Sequence, residues 1–347
     1  MASPAGAAEV SAVLGTPVLV VDITGAAAAG PAGVAGAGVI GEAAARAAGL
    51  PAVVVAVCPE GLEGAPGWVA GLVDVVVADP GPVVATVEAA PQAAVTLALV
   101  LRATLSLGVA AGLAAESAAY SMLQAGPEFA RWRATSAAGR PWTSHGYAKA
   151  RSVGAIPTFR WQEAEKGPAV LVERVGSELR VTLSRPSRHN AVNTALRDEL
   201  AEALIVACAD PSIEQVVLGG AGPSFCSGGD LAEFGTLPDP ATAHLVRLTR
   251  SPARLLAELG PRLEARLHGA CIGAGIEMAA FAGRVVAHPD TVISLPEVGL
   301  GLIPGAGGTV SIPRRIGRHR TAELALCAAP IDAPTALRWG LVDAIRP

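Results

Sequence analysis

An α/β fold is predicted for this chain by three observations. Short valine-rich segments of strand length recur, at Pro17 to Ile23 (PVLVVDI), Pro51 to Val57 (PAVVVAV) and Leu72 to Ala78 (LVDVVVA), and again past residue 168. Runs of helical propensity or helical apolar spacing separate them. Two later strands, Val216 to Leu218 and Arg262 to Leu267, lead into glycine-rich loops.

Composition bounds the answer. The 347 residues suffice for one large domain or two, with a substantial core. Apolar residues make up 51%, mostly Ala, Val and Leu, and the 16% of charged residues argues against disorder. A net charge of −4 offers no basic surface for nucleic acid. Lysine occurs only at Lys149 and Lys166, a bias that codon usage in a GC-rich genome explains. Cys58, Cys208, Cys226, Cys271 and Cys327 are widely spaced, without a C-x-x-C pair, which fits a reduced cytoplasmic setting and no metal site. No Lys or Arg precedes the first apolar run, so it does not read as a signal peptide. The apolar stretch Ala93 to Ala115 is broken by Arg102 and reads as a buried helical hairpin, so no membrane partner is expected.

In chain order, Gly41 to Ala48 reads as a helix between the first two strands, and Pro80-Gly81-Pro82 closes the unit 1–82. Residues 83–135 read as helical, in runs Val83 to Leu113 and Ala114 to Ala134. The irregular stretch 136–167 is the expected linker. Past it, Val170 to Val175 and Leu179 to Leu183 form a predicted hairpin around Gly176-Ser177. Asn193 to Asp210 is an amphipathic helix with Leu196, Leu200, Leu204 and Ala207 on one face. Gly275 to Phe281 is a helix that starts in a glycine-rich loop, Val285 to Ala287 and Val292 to Ser294 are strands, and Ala322 to Ala328 is helix-like.

The chemistry concentrates in the C-terminal half. Glu277 ends His268-Gly269-Ala270-Cys271-Ile272-Gly273-Ala274-Gly275-Ile276-Glu277, and Glu297 lies in Leu295-Pro296-Glu297-Val298-Gly299. A third glycine-rich stretch runs Gly219-Gly220-Ala221-Gly222-Pro223-Ser224-Phe225-Cys226-Ser227-Gly228-Gly229-Asp230. Two carboxylates beside exposed backbone N–H groups suit acid/base chemistry next to a polarised carbonyl.

These stretches, with Arg185-Pro186 and Asn190-Ala191-Val192, give residues 168–347 a resemblance to the crotonase (enoyl-CoA hydratase/isomerase) superfamily. The resemblance implies a spiral of ββα units and an acyl-CoA substrate, with no cofactor beyond that coenzyme A. It places the thioester oxygen between the N–H groups of Gly229 and Ala274, positions where the family often has alanine and glycine respectively. Glu277 and Glu297 match the two carboxylates that hold a water against the 2,3 double bond, which implies an enoyl-CoA hydratase. Family isomerases manage with a glutamate at the Glu297 position alone, so an enoyl-CoA isomerase is the alternative. At Glu277 a helix-capping or arginine-pairing role is the other reading. Arg185, Arg188 and Ala191 fall where the family holds the adenine and phosphates of CoA, beside Gly228 and Asp230 of the loop; a solvated arginine is the competing reading. Asp230 is also expected to order its loop, His268 to serve a turn, and Cys226 and Cys271 to pack.

Relatives normally continue past the last core helix with helices that cover the acyl pocket and build a trimer. Here such a segment precedes the core: Gly112 to Tyr120 and Pro127-Glu128-Phe129 resemble it. The expected organisation is a degenerate crotonase-like unit at 1–82, displaced helices at 83–135, the linker, and a catalytic core at 168–347, in a trimer or hexamer. An unrelated appendage, and a weakly catalytic CoA-ester-binding partner protein, are the alternatives for the first half and for the whole. Gly36-Ala37-Gly38-Val39-Ile40-Gly41 matches a dinucleotide-loop spacing by chance, being separated from the preceding strand by residues 24–35.

Overall fold

The computed structural model describes residues 11–12, 15–24, 37–137 and 167–347. β1 (Val18–Asp22), α1 (Ala37–Ala48), β2 (Val53–Val57) and β3 (Val75–Val77) build a parallel sheet in the order β1-β2-β3. Val18 pairs with Val53 and Val55 with Val75. Valine occupies both faces of β2 because both are covered. Val53 and Val55 join the main core, whereas Val54 and Ala56 pack with Val69, Val73 and Val76 on the other side. Gly38 and Gly41 lie inside α1, and Gly36 lies outside the described residues.

The two helical runs expected over 83–135 are four helices: α2 (Gly81–Ala89), α3 (Pro91–Thr104), α4 (Val109–Gln124) and α5 (Pro127–Ala137). Proline sets two of the breaks, because Pro91 and Pro127 can open a helix but cannot continue one. The stretch Ala93 to Ala115 is thus split between α3 and α4, which pack on each other. Among the described residues no single helix is long and apolar enough to cross a membrane. Of the expected linker, residues 138–166 lie outside the described residues.

The second half opens with the hairpin β4 (Val170–Val175) and β5 (Glu178–Leu183), paired Val170 to Leu183. α6 (Thr194–Ala209) follows, with the Asn193 side chain accepting from the Leu196 N–H and Leu196, Leu200 and Leu204 buried. Then come β6 (Gln215–Gly220), α7 (Pro240–Thr249), α8 (Pro252–Leu259), β7 (Leu263–Leu267), β8 (Ala270–Ile272) and α9 (Ala274–Ala279). The chain closes with β9 (Arg284–Ala287), β10 (Val292–Ser294), α10 (Gly308–Leu326), β11 (Ile331–Asp332), α11 (Ala333–Trp339) and β12 (Ala344–Ile345).

These strands form two sheets, ordered β12-β9-β7-β6-β5-β4 and β11-β10-β8. The repeat is a ββα unit: β7, β8 and α9, then β9, β10 and α10, each give one strand to each sheet before the helix. In the unit that starts with β6, a bridge from Cys226 to Cys271 stands in for the second strand. β6 runs into the glycine-rich loop that carries Gly229, and β8 into the one that carries Ala274. The spiral inferred by resemblance is the observed architecture.

α7 and α8 were not anticipated. Each begins with a cap and a proline: Asp239 accepts from the Thr242 N–H before Pro240, and Ser251 from the Arg254 N–H before Pro252.

The halves interlock through α10, which contacts α3, α4 and β3. A left-handed Gly317 (φ 75°) breaks α10 and turns His319 onto the Ala70 carbonyl at 3.0 Å.

Candidate active site

The site is built where the loop after β6 runs between two partners. Phe225 N–H donates to the His268 carbonyl and Cys226 N–H to Ala270, which ties the loop to β8. On its next stretch, Val192 N–H donates to Gly228 and Asp230 N–H to Val192. In such a parallel pairing alternate residues point their groups to opposite sides. The N–H of Gly229 accordingly faces away and finds no acceptor among the described residues. Ala274, the first residue of α9, also has an N–H with no acceptor among them, as a helix N-terminus dictates. Gly229 and Ala274 both line one cavity of about 590 Å³.

Glu277 and Glu297 line the same cavity, and both are buried. Glu277 Oε2 accepts from the N–H groups of Ala306 (2.7 Å) and Gly308 (2.9 Å). Glu297, on the turn Glu297–Leu300, has a buried Oε2 with no hydrogen-bond partner among the described residues. Burial pushes the Glu297 carboxyl up to about 8, opposed by its own backbone N–H and aided by the charge of Glu116. Glu277 is raised as well, chiefly by burial and then by the charges of Glu297 and Glu116, against the two backbone N–H groups that favour its anion. Burial and mutual repulsion thus disfavour ionising both carboxyls at once.

The remaining expected residues have other tasks. Arg185 is turned onto Asp230 Oδ2 (3.1 Å) and the Ala191 carbonyl, so its guanidinium is engaged inside the loop framework. Arg188, Ala191 and Gly228 do not line the cavity, whereas Asp230 does. Asp230 also caps a turn by accepting from Ala232 N–H at 3.3 Å. Asn190 supplies further loop order: its Nδ2 donates to the carbonyls of Ala221 and Ser224, and its Oδ1 accepts from Arg185 N–H. His268 meets the Gly222 carbonyl at 2.9 Å. Burial pushes the Cys226 thiol up to about 12 and Cys271 well above its ordinary value, so neither is poised as a thiolate.

The N-terminal helices complete the cavity wall. Leu113, Glu116, Ser117 and Tyr120 of α4 line it, opposite Ala243, Val246 and Arg247 of α7. Arg247 lies over the Tyr120 ring at 4.6 Å and donates through Nε to Ser117 Oγ at 3.2 Å. Phe129 and Trp132 of α5 stack at 5.5 Å, and Trp132 meets Phe234 at 6.4 Å. The sequence points to the Phe234 to Leu259 segment and the N-terminal helices as pocket lining, which Phe234, Arg247 and Glu116 are, but it singles out neither Glu116 nor Arg247 as a site group. The signal for Glu116 was a lone carboxylate in an alanine-rich helix.

The enoyl-CoA hydratase/isomerase family model matches residues 174–347, and the chain belongs to that family. It is 36% identical to the 2,3-dehydroadipyl-CoA hydratase of Escherichia coli (strain K12), over 51% of this chain and 69% of that enzyme. To the enoyl-CoA isomerase/hydratase fer4 of Mycosarcoma maydis it is 31% identical, over 48% and 64%. The chain thus spans about two thirds of these relatives. A solved enoyl-CoA hydratase from Thermoplasma volcanium GSS1 aligns with 52% of this chain and 72% of its own, at 32% identity and a TM-score of 0.47.

Proposed function

We propose that the protein hydrates a 2-enoyl-CoA thioester. The observation that carries this reading is the convergence on one cavity of two buried carboxyl groups and two uncommitted backbone N–H groups. The thioester oxygen accepts from Gly229 and Ala274 N–H, which stabilise the negative charge that develops there; each donor contributes about 3 kcal/mol. One carboxylate takes a proton from water as its oxygen bonds to C3. The other carboxyl delivers its proton to C2, so the pair ends with the proton exchanged and the thioester intact. Nothing in this sequence of steps draws on a cofactor other than the substrate's own CoA. On the same reading the enzyme is cytoplasmic and forms a trimer or hexamer, and residues 1–82 are a reduced copy of the core fold.

An isomerase reading is favoured by one observation. Glu297 has an uncommitted oxygen, whereas Oε2 of Glu277 is engaged by two backbone N–H groups. A single carboxylate at Glu297 then carries a proton between C2 and C4.

The test follows loss of the enoyl-thioester absorbance with crotonyl-CoA, and product formation from a 3-enoyl-CoA, for the wild type, Glu277→Gln and Glu297→Gln. The hydratase reading expects each substitution to reduce hydration by at least about 100-fold. Isomerisation that survives Glu277→Gln, with no hydration by the wild type, selects the isomerase. Saturable binding without turnover of either ester selects a CoA-ester-binding partner.

A further inference from the structure

Four successive backbone N–H groups at the start of α10 are divided alternately between two carboxylates. Those of Ala306 and Gly308 go to Glu277 Oε2, at 2.7 and 2.9 Å. Those of Gly307 and Thr309 go to Glu116, at 2.7 and 2.9 Å, and the Thr309 hydroxyl adds a third bond to Glu116 at 2.7 Å. Glu277 belongs to the core; Glu116 comes from α4, some 190 positions earlier in the chain.

The segment so clamped is Gly305-Ala306-Gly307-Gly308-Thr309, which would otherwise be among the freest in the chain. Gly307 sits at φ 101°. Packing closes round it as well: a Cβ on Gly305 would lie 2.4 Å from the Tyr120 ring, and one on Gly308 would lie 2.6 Å from Cγ of Glu277. A turn with three glycines holds one conformation only if both sides are tied. Glu116 supplies one side and Glu277 the other, so neither carboxylate can move without the turn moving.

We infer that Glu116 is a positioning residue for Glu277, acting through the shared turn, so that the N-terminal half of the chain supplies part of the catalytic apparatus. This rests on the reading of Glu277 as an acid/base group, and it extends that reading to a residue outside the range 174–347 that the family model matches. Burial of Glu116, which pushes its carboxyl up to about 7, agrees with a group enclosed in the site. Among the described residues the charged and titratable groups facing this pair include Glu297, Tyr120, Arg247 and Cys226.

The experiment compares the full-length wild type with Glu116→Ala and Glu116→Gln by steady-state kinetics and by amide NMR of ¹⁵N-labelled protein. The positioning role predicts a fall in kcat of about 10- to 100-fold with KM held within about threefold. Glu116→Gln, which keeps one acceptor oxygen, recovers part of the loss. In the spectrum the amides of Ala306 and Gly308, which Glu116 does not touch, move upfield and lose exchange protection along with Gly307 and Thr309. Movement of Gly307 and Thr309 alone, or an unchanged kcat with a lowered melting temperature, overturns the inference and leaves Glu116 a local staple. If the wild type turns over no enoyl-CoA, the proposed activity falls, while the Ala306 and Gly308 amides still decide whether the turn transmits. Should Glu116→Ala not fold, the near-isosteric Glu116→Gln gives the same amide readout.

Discussion

A methyl group on Gly273 would lie 2.3 Å from Oε1 of Glu297. Gly273 also holds φ 49°, so glycine is required there twice, by conformation and by contact. Its N–H donates to the Ser294 carbonyl, three residues before Glu297, which fixes the two segments against each other. Gly273→Ala is therefore expected to displace the Glu297 carboxylate and lower kcat by about 100-fold, because misplacement by an ångström costs that much. Kinetics at matched folded fraction, judged by circular dichroism, check it. Full activity in the variant would show that Glu297 has room to retreat.

Phe234 is held in the space that a side chain at position 229 would need. A Cβ on Gly229 would lie 2.5 Å from Cε1 of the ring. The ring is backed by Trp132, and Trp132 by Phe129, so it cannot swing aside freely. Gly229→Ala should destabilise the fold by about 1–3 kcal/mol through overpacking. It should also weaken turnover, and Gly229→Ala with Phe234→Leu should recover both. Urea melts and kinetics of the single and double variants decide; additive losses would refute the contact.

The buried carboxyls set a pH signature. Glu297 is raised to about 8 and Glu116 to about 7 from an ordinary 4.5, with burial as the leading cause. Between those values the folded chain keeps protons that the unfolded chain has released. Stability therefore falls as pH rises from about 4.5 to about 8, by at most about 1.4 kcal/mol per pH unit for each group. Urea unfolding at pH 5, 6.5 and 8 measures it. Glu297→Gln should reduce the slope and make the protein more stable than wild type at pH 8; a wild-type stability that climbs over this window would contradict the assignment.

What could be read from the residues follows from range. The hairpin around Gly176-Ser177 and the α6 face of Leu196, Leu200 and Leu204 were legible because their signals are local. Glu277 and Glu297 were legible because each sits in a short glycine- or proline-marked motif. Glu116 was not, since its bonds reach Gly307 and Thr309 and no local pattern encodes that distance. α7 and α8 had local signals, Asp239-Pro240 and Ser251-Pro252, that the mixed pattern after them masked. Arg185 matched a ligand-binding position by motif, but its pairing with Asp230 is a tertiary fact.

The same distinction explains Arg102, which looked from the sequence like an interruption of an apolar run and is the pin between the N-terminal sheet and its helices. Its Nε and Nη2 donate to Oδ1 and Oδ2 of Asp74, at 2.8 and 2.6 Å, and it also reaches the carbonyls of Leu50 and Ala52 before β2. Asp74 accepts in addition from Val54 N–H at 2.8 Å. The side chains are 9% and 3% exposed, so solvent cannot replace a lost partner. Asp74→Ala strands a buried guanidinium and a strand N–H, and should cost about 3–5 kcal/mol. The double change Asp74→Leu with Arg102→Met removes this pair of charges together and should cost less than Asp74→Ala alone, even though Val54 N–H and Arg318, whose Nη1 lies 3.5 Å from Asp74 Oδ1, also lose Asp74. Urea unfolding of the two variants separates a desolvated ion pair from a surface one, because a surface pair would give losses below about 1 kcal/mol in both. Since α3 packs on α4, which carries Glu116, the Asp74→Ala variant should also lose turnover before it loses its secondary structure.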